Sequence, residues 1–174
     1  MSDAKIFNDA IQDEFDPKSV IDFGCGVGRF LISYDKQGIP VLGIDNHKEA
    51  LKISPLEDGK LRKHNLQKPY YPYKKYDMAY CIETLEHIPD ECSDVVISSI
   101  KRSASTAIIT AATPGQRGTL HINEMPQKEW IKRFESHGFV YKNKITESIC
   151  ESIDVEADYL TENLMIFESS EDKI

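Results

Sequence analysis

The stretch Val20-Ile21-Asp22-Phe23-Gly24-Cys25-Gly26-Val27-Gly28-Arg29 decides the fold. Its first half is a short, largely apolar run of the kind that forms a strand buried on both faces. Its second half is a glycine turn of the form G-x-G-x-G, and Arg29-Phe30-Leu31-Ile32-Ser33-Tyr34 then reads as a helix. Glycines at alternate positions let the backbone turn sharply and let a ligand lie against the main chain. A dinucleotide-binding turn would be G-x-G-x-x-G, with its third glycine at position 29, where this chain has Arg29. Asp22 stands two residues before Gly24. A pyrophosphate has no use for a carboxylate at the strand end, whereas a ligand bearing an ammonium does. The turn therefore favours an amino-acid nucleoside over a nicotinamide dinucleotide.

Outward from this turn, apolar runs alternate with helical patterns. Pro40-Val41-Leu42-Gly43-Ile44 is a second strand and 47–53 a short helix; 60–64 is a weaker strand. Tyr76-Asp77-Met78-Ala79-Tyr80-Cys81 is a fourth strand, followed by a helix that restarts after Pro89, and Thr106-Ala107-Ile108-Ile109-Thr110 a fifth. Helical spacing of Trp130, Ile131 and Phe134 ends at Gly138 and marks core packing. Residues 140–149 and 160–167 read as two late strands with no helix evident between them, expected to pair as an antiparallel hairpin. The alternation predicts an α/β fold: one open, mostly parallel sheet with helices on both faces, and ligands at the carboxyl ends of its strands. One domain is expected over 1–174, with an N-terminal helix in 1–17, a core in 18–168 and a tail at 169–174. Asp45 ends the second strand, 17 residues after Gly28. A carboxylate there suits both ribose hydroxyls of a nucleoside; alternatively, Asp45-Asn46 caps the following helix.

The chain has 174 residues, 40% of them apolar, with 9 Gly and 8 Pro, which excludes collagenous and low-complexity classes. No apolar run approaches the roughly 20 residues of a membrane span, and the N-terminus lacks the basic start and apolar run of a signal peptide. The four cysteines (Cys25, Cys81, Cys92, Cys150) form no CxxC, so neither a zinc cluster nor a disulfide framework is indicated. These features point to the cytoplasm. The net charge of −8 disfavours nucleic acid and anionic membrane as partners. The charge is uneven, however: 60–75 carries Lys60, Arg62, Lys63, Lys68, Lys74 and Lys75 with Tyr70, Tyr71 and Tyr73 and no carboxylate, whereas the chain from Glu147 onward is acidic. Such a tract is either a solvated face or a patch that meets an anionic substrate or partner.

The segment 20–29 resembles the first motif of the class I S-adenosylmethionine-dependent methyltransferases, and Val41-Leu42-Gly43-Ile44-Asp45 resembles their second. His64-Asn65-Leu66 sits where the family usually has an acid facing the adenine amino group; Asn65 departs from that pattern, and its amide oxygen can still accept a hydrogen bond. Tyr76-Asp77-Met78-Ala79-Tyr80-Cys81-Ile82-Glu83-Thr84-Leu85-Glu86-His87 is similar to the family's motif after the fourth strand. The resemblance implies a Rossmann-like fold and S-adenosyl-L-methionine as cofactor. It carries cofactor contacts onto Asp22, Gly24, Cys25, Gly26, Gly28, Asp45, Asn46, Asn65, Leu66 and Cys81, the two cysteines as small buried fillers flanking the site. Thr113-Pro114-Gly115-Gln116-Arg117-Gly118-Thr119-Leu120-His121-Ile122-Asn123-Glu124 resembles the loop of a subgroup loosely associated with glycan and natural-product modification. A small-molecule or glycan acceptor, methylated on oxygen or nitrogen, is the resulting expectation, its side of the site covered by loops 88–92 and 113–126, by an oligomer partner or by the acceptor itself.

Methyl transfer from a sulfonium is an in-line displacement, so catalysis is largely positioning, and a hydroxyl or amine acceptor must also lose a proton. His121, His87 and Glu83 are the candidates, since histidine ordinarily titrates near neutrality. Glu83 and Glu86, three apart, would share one face of a helix. With His87 and His121 they could form a divalent-metal site, as in a small-RNA 3′-terminal methyltransferase family that has a similar Glu-x-x-Glu-His and a later His. Alternatively, they stabilise the helix start through its dipole. Three rivals follow: a metal-dependent RNA-end methyltransferase, a nicotinamide-dependent oxidoreductase, and a non-catalytic cofactor-binding subunit.

Overall fold

The computed structural model describes residues 2–116 and 118–170; Arg117 and the last part of the expected tail, 171–174, lie outside the described residues. Strands β1 (Val20–Phe23), β2 (Val41–Asp45), β3 (Leu61–Lys63), β4 (Tyr76–Ile82), β5 (Ala104–Thr110), β6 (Phe139–Tyr141) and β7 (Met165–Ser169) form one sheet in the order β3-β2-β1-β4-β5-β7-β6. The first five run parallel, and β7 is antiparallel to both β5 and β6. This is the expected α/β architecture. The order reverses at β1 and β4, which places the glycine turn at the switch point where open sheets of this kind bind ligands.

Helices α1 (Asp3–Phe15), α2 (Ile32–Lys36), α3 (Lys48–Lys52), α4 (Asp90–Ser103), α5 (Gln127–Ser136), α6 (Asn143–Ser152) and α7 (Tyr159–Glu162) complete the fold. Alternation along the strands separates two cores. Ala79 and Cys81 of β4 face a layer with Val96, Ile97 and Ile100 of α4 and Trp130 and Phe134 of α5. Met78, Tyr80 and Ile82 face the opposite layer, with Phe7 and Ile11 of α1, Tyr34 of α2, Ile149 of α6 and Leu160 of α7. Trp130, fully buried, is core as expected.

The late antiparallel pair is present as β6 and β7, yet two helices join them where the sequence predicts strand through 140–149 and from 160. Ile145 and Ile149, four apart, lie on one helical face toward the core, as do the partly buried Cys150 and Ile153 beside them. That 3.6-residue stripe overrides the local β-branched content. The helix expected to start at Arg29 begins instead at Ile32, because Gly26 (φ +53°) and Gly28 (φ +80°) hold the preceding residues in turns.

Candidate active site

The site is built on the carboxyl ends of β1, β2, β4 and β5. Gly24 has φ +85°, and a Cβ there would stand 2.3 Å from Thr84 Oγ1, so the turn after β1 and the turn after β4 approach as closely as glycine permits. A Cβ on Gly26 would meet nothing within 4 Å. Gly24 thus closes the turn by packing, whereas Gly26 leaves bare backbone facing open space, the surface a flat ligand needs. Asp45 completes the wall: its Oδ2 accepts the Gly26 N–H at 2.8 Å and its Oδ1 the His47 N–H at 2.7 Å. The helix-capping role falls to His47, whose Nδ1 accepts from the Ala50 N–H. The His64 N–H donates to the Asp45 carbonyl, which brings Asn65 and Leu66 to the same rim. Asn65 Oδ1 accepts from the Gln67 N–H, Leu66 is buried, and Asn46 is exposed.

Asp22 lies beneath the turn at 2% exposure. Burial, and secondarily the Asp45 charge, push its carboxyl up to about 7, so a cation placed near it would relieve a strained acid. Cys25 and Cys81 are buried free thiols held above their ordinary range by burial, which makes them fillers rather than nucleophiles. The Cys25 sulfur occupies the notch that a side chain at Gly43 would fill.

At the end of β4 the chain departs from the expected helix. Glu83 sits in the left-handed region (φ +45°), and Leu85–His87 form a 3₁₀ turn before α4. Glu83 and Glu86 therefore share no helix and cap none, since α4 starts only at Asp90, after Pro89. Glu83 Oε1 accepts from Asn163 Nδ2, which also donates to Gln116 Oε1 and so joins the segment before β7 to the loop after β5. That loop folds back over the 3₁₀ turn: the Ile122 and Asn123 N–H groups both donate to the Glu86 carbonyl. The Asn123 side chain donates to Ser93 Oγ.

This fold-back brings His121 against His87, with ring centroids 5.1 Å apart and near-perpendicular planes. His121 Nδ1 lies 3.0 Å from Glu124 Oε1, and Glu124 Oε2 accepts the Gly115 N–H. His87 Nδ1 lies 3.1 Å from the Leu120 carbonyl. A carbonyl or carboxylate on Nδ1 makes that nitrogen the donor and leaves the lone pair on Nε2. Glu86 is fully buried beneath these rings, and neither carboxylate oxygen has a hydrogen-bond partner among the described residues. Burial, with the Glu83 charge adding to it, raises the Glu86 carboxyl to about 7. Ligand atoms of Glu86, His87 and His121 all lie within 4.8 Å of one another. Of the four predicted residues, Glu83 stands outside this converging set.

Three contributors carried weaker sequence signals. Glu124 is legible only as an acid three residues after His121, and Gly118 as a glycine in a loop. A Cβ on Gly118 would fall 2.0 Å from His121 Nε2, so the ring occupies space that only glycine leaves. Asn163 had no signal, because its role depends on a contact 80 residues away in sequence.

The arrangement is an open wall of bare backbone at the switch point, with an oriented imidazole pair beside it. In sequence, residues 4–144 match the family described as "Methyltransferase domain". The chain belongs to this methyltransferase family. A ubiquinone biosynthesis O-methyltransferase of Aliivibrio fischeri is 39% identical to this chain over 87 residues, a match covering 44% of this chain and 36% of the relative. The chain thus matches little more than a third of that curated relative's length. In structure, it superposes on the O-methyltransferase of a Brevibacillus brevis trans-AT PKS multienzyme, solved with S-adenosyl-L-homocysteine. The TM-score is 0.68 at 16% identity, covering 95% of this chain and 71% of that one. It also superposes on small RNA methyltransferase HEN1 with TM-score 0.69 at 14% identity, covering 99% and 26% of the two chains. At such identities these superpositions concern the fold. No helix among the described residues is long and apolar enough to cross a membrane.

Proposed function

We propose that this methyltransferase uses S-adenosyl-L-methionine to methylate an oxygen, or less favourably a nitrogen, of a small-molecule or glycan acceptor, with His121 as the base that receives the acceptor's proton. The observation that carries the reading is the His121–Glu124 pair at the mouth of β4 and β5. Glu124 holds the ring in one tautomer and would stabilise the imidazolium that forms as the acceptor hydroxyl loses its proton. The cofactor fits the residues present: the bare backbone at Gly26, Asp45 at the ribose position and the buried Asp22 near the expected ammonium form one continuous wall. When bound, the cofactor supplies an electrophilic methyl group on sulfur. The chain's own residues orient the nucleoside, hold the acceptor and take up the proton. The O-methyltransferase relative and the O-methyltransferase structural neighbour support oxygen as the accepting atom.

A second reading is favoured by Glu86. A fully buried carboxylate, its two oxygens unpartnered among the described residues, beneath two oriented imidazoles has the donor set of a divalent cation site. There Glu86, His87 and His121 would hold the ion, which would polarise an acceptor hydroxyl and lower its pKa. Mixed N/O donors suit manganese, zinc or iron, and carboxylate with water suits magnesium. Small RNA methyltransferase HEN1 is among the structural neighbours, so a nucleic-acid acceptor belongs to this reading.

One experiment separates the readings: transfer of labelled methyl from S-adenosyl-L-methionine to a panel of catechols, phenols, sugars and an RNA 3′ end, with and without chelator. Activity indifferent to chelator supports His121 as base, and loss restored by a divalent ion supports the metal. No transfer to any acceptor unless a second protein is added would point to a cofactor-binding subunit and against both.

A further inference from the structure

The cations and tyrosines of 60–75 take no part in the site above, whose rim uses only Asn65 and Leu66 of this tract, and the structure gathers part of them into one surface. Arg62 lies over the Tyr73 ring, with Cζ 5.5 Å from the centroid. Its guanidinium also reaches the Tyr70 hydroxyl. Arg102 of α4 joins the patch from across the sheet edge: it donates to the Tyr70 carbonyl and lies 4.8 Å over the Tyr71 ring. Lys63, next to Arg62 in β3, projects to the opposite face of the strand and stands apart from this surface. Lys68 is tied in by His64, whose ring packs on Tyr70 and whose Nε2 meets the Lys68 carbonyl. Lys60, counted with this tract from sequence, is engaged by Asp35 and Glu57. By contrast, Arg62, Lys63, Lys68, Lys74 and Lys75 make no ion pair with a carboxylate of the described residues. A chain with a net charge of −8 thus carries one face where cations stand uncompensated.

The aromatic part fixes the chemistry. Tyr71 is 71% and Tyr73 94% exposed, each with an arginine over one ring face and the other face toward solvent. The exposed aliphatics Ile53, Leu120, Ile122 and Val140 all lie outside 60–75, so the large exposed apolar side chains within this tract are Tyr71 and Tyr73. A membrane-binding face would offer aliphatic groups to insert, and an acidic protein would need only the charge. Flat faces spaced among cations suit stacked bases joined by phosphates.

We infer that this surface binds single-stranded nucleic acid: phosphates on Arg62, Lys68 and Arg102, bases on Tyr71 and Tyr73. The inference does not depend on which acceptor is methylated.

The test is fluorescence anisotropy of a labelled oligouridylate 20-mer, longer than the roughly 4–16 nucleotides such sites engage, titrated with the full chain. For about three neutralised phosphates the log–log salt slope is about −2, so affinity should fall roughly 20-fold between about 50 and 200 mM salt. Arg62→Gln/Lys68→Gln should reduce the slope by about 1.4. Tyr73→Ala should weaken binding roughly tenfold and leave the slope unchanged. Tyr73 is too exposed for its loss to unfold the chain, and an unchanged thermal midpoint verifies this. The inference is overturned by an absence of binding up to about 100 μM protein at low salt, the weak end for non-specific contacts. It is equally overturned by variants that bind like the wild type, or by capture on phosphatidylglycerol vesicles with no binding to the oligonucleotide.

Discussion

Glu86→Gln should make the protein more stable and less active. Glu86 is fully buried, neither oxygen has a hydrogen-bond partner among the described residues, and its carboxyl is raised from 4.5 to about 7 by burial and the neighbouring Glu83. Between those two values the folded protein keeps a proton that the unfolded chain has released. Stability therefore falls as pH rises through that window and is lowest above pH 7. At 1.36 kcal/mol per unit, the ionised carboxylate costs up to about 3 kcal/mol. Glutamine has nearly the same shape and cannot ionise. The variant should match the wild type near pH 4.5 and exceed it at pH 8 by as much as about 3 kcal/mol, roughly 6–12 °C in midpoint for a chain of this size. Asp22, also raised to about 7, contributes with the same sign in both proteins and cancels in the difference. The assay is thermal or urea unfolding at several pH values in chelator. A variant less stable than the wild type at pH 8, or a gap that does not close toward acid, would refute the burial argument. Methyl transfer should drop in the variant under either reading, because the carboxylate lies directly beneath the imidazole pair.

Three further outcomes follow from the same geometry. His121→Ala should cut turnover about 10²- to 10⁴-fold, the span of general acid–base catalysis, with cofactor affinity in calorimetry unchanged; wild-type turnover on the true acceptor would remove His121 from both mechanisms. Gly118→Ala should approach the His121→Ala turnover, because its Cβ would claim the space of His121 Nε2; the thermal midpoint should hardly move, and full activity would show that the ring need not rest there. Asp45→Ala should weaken S-adenosyl-L-methionine by roughly 1.5–3 kcal/mol, as for hydrogen bonds to a charged group, and equal titration heats and affinity would discard the ribose contact.

Much of the architecture was legible because its signals are local. The glycine turn, the apolar runs around Ile21, Ile44, Ala79 and Ile108, and the stop at Gly138 each fix an element within a few residues. The end of the chain was misread for the same reason: Ile145 and Ile149 suit a strand as well as a helix until the core behind them is known. In the site, Asp45 and the histidines announced themselves by residue type and position. The roles of Asn163, Gly118 and Glu124 depend on how the loop 113–126 folds back over the 3₁₀ turn, a long-range event with no periodic trace. Glu83 was expected beside Glu86 on a helix. Its left-handed backbone turns it instead toward Asn163, and the burial that sets Glu86 apart is a property of the fold alone.

The claim that this turn binds S-adenosyl-L-methionine is tested most directly by isothermal titration of S-adenosyl-L-homocysteine into the wild-type chain and Gly26→Val, with circular dichroism verifying that the variant is folded. The account predicts one site in the wild type and no binding in the variant, whose branched side chain would stand in the open space over the turn. Undiminished affinity in Gly26→Val, or a wild type that binds a nicotinamide dinucleotide and not the adenosyl ligand, would contradict it.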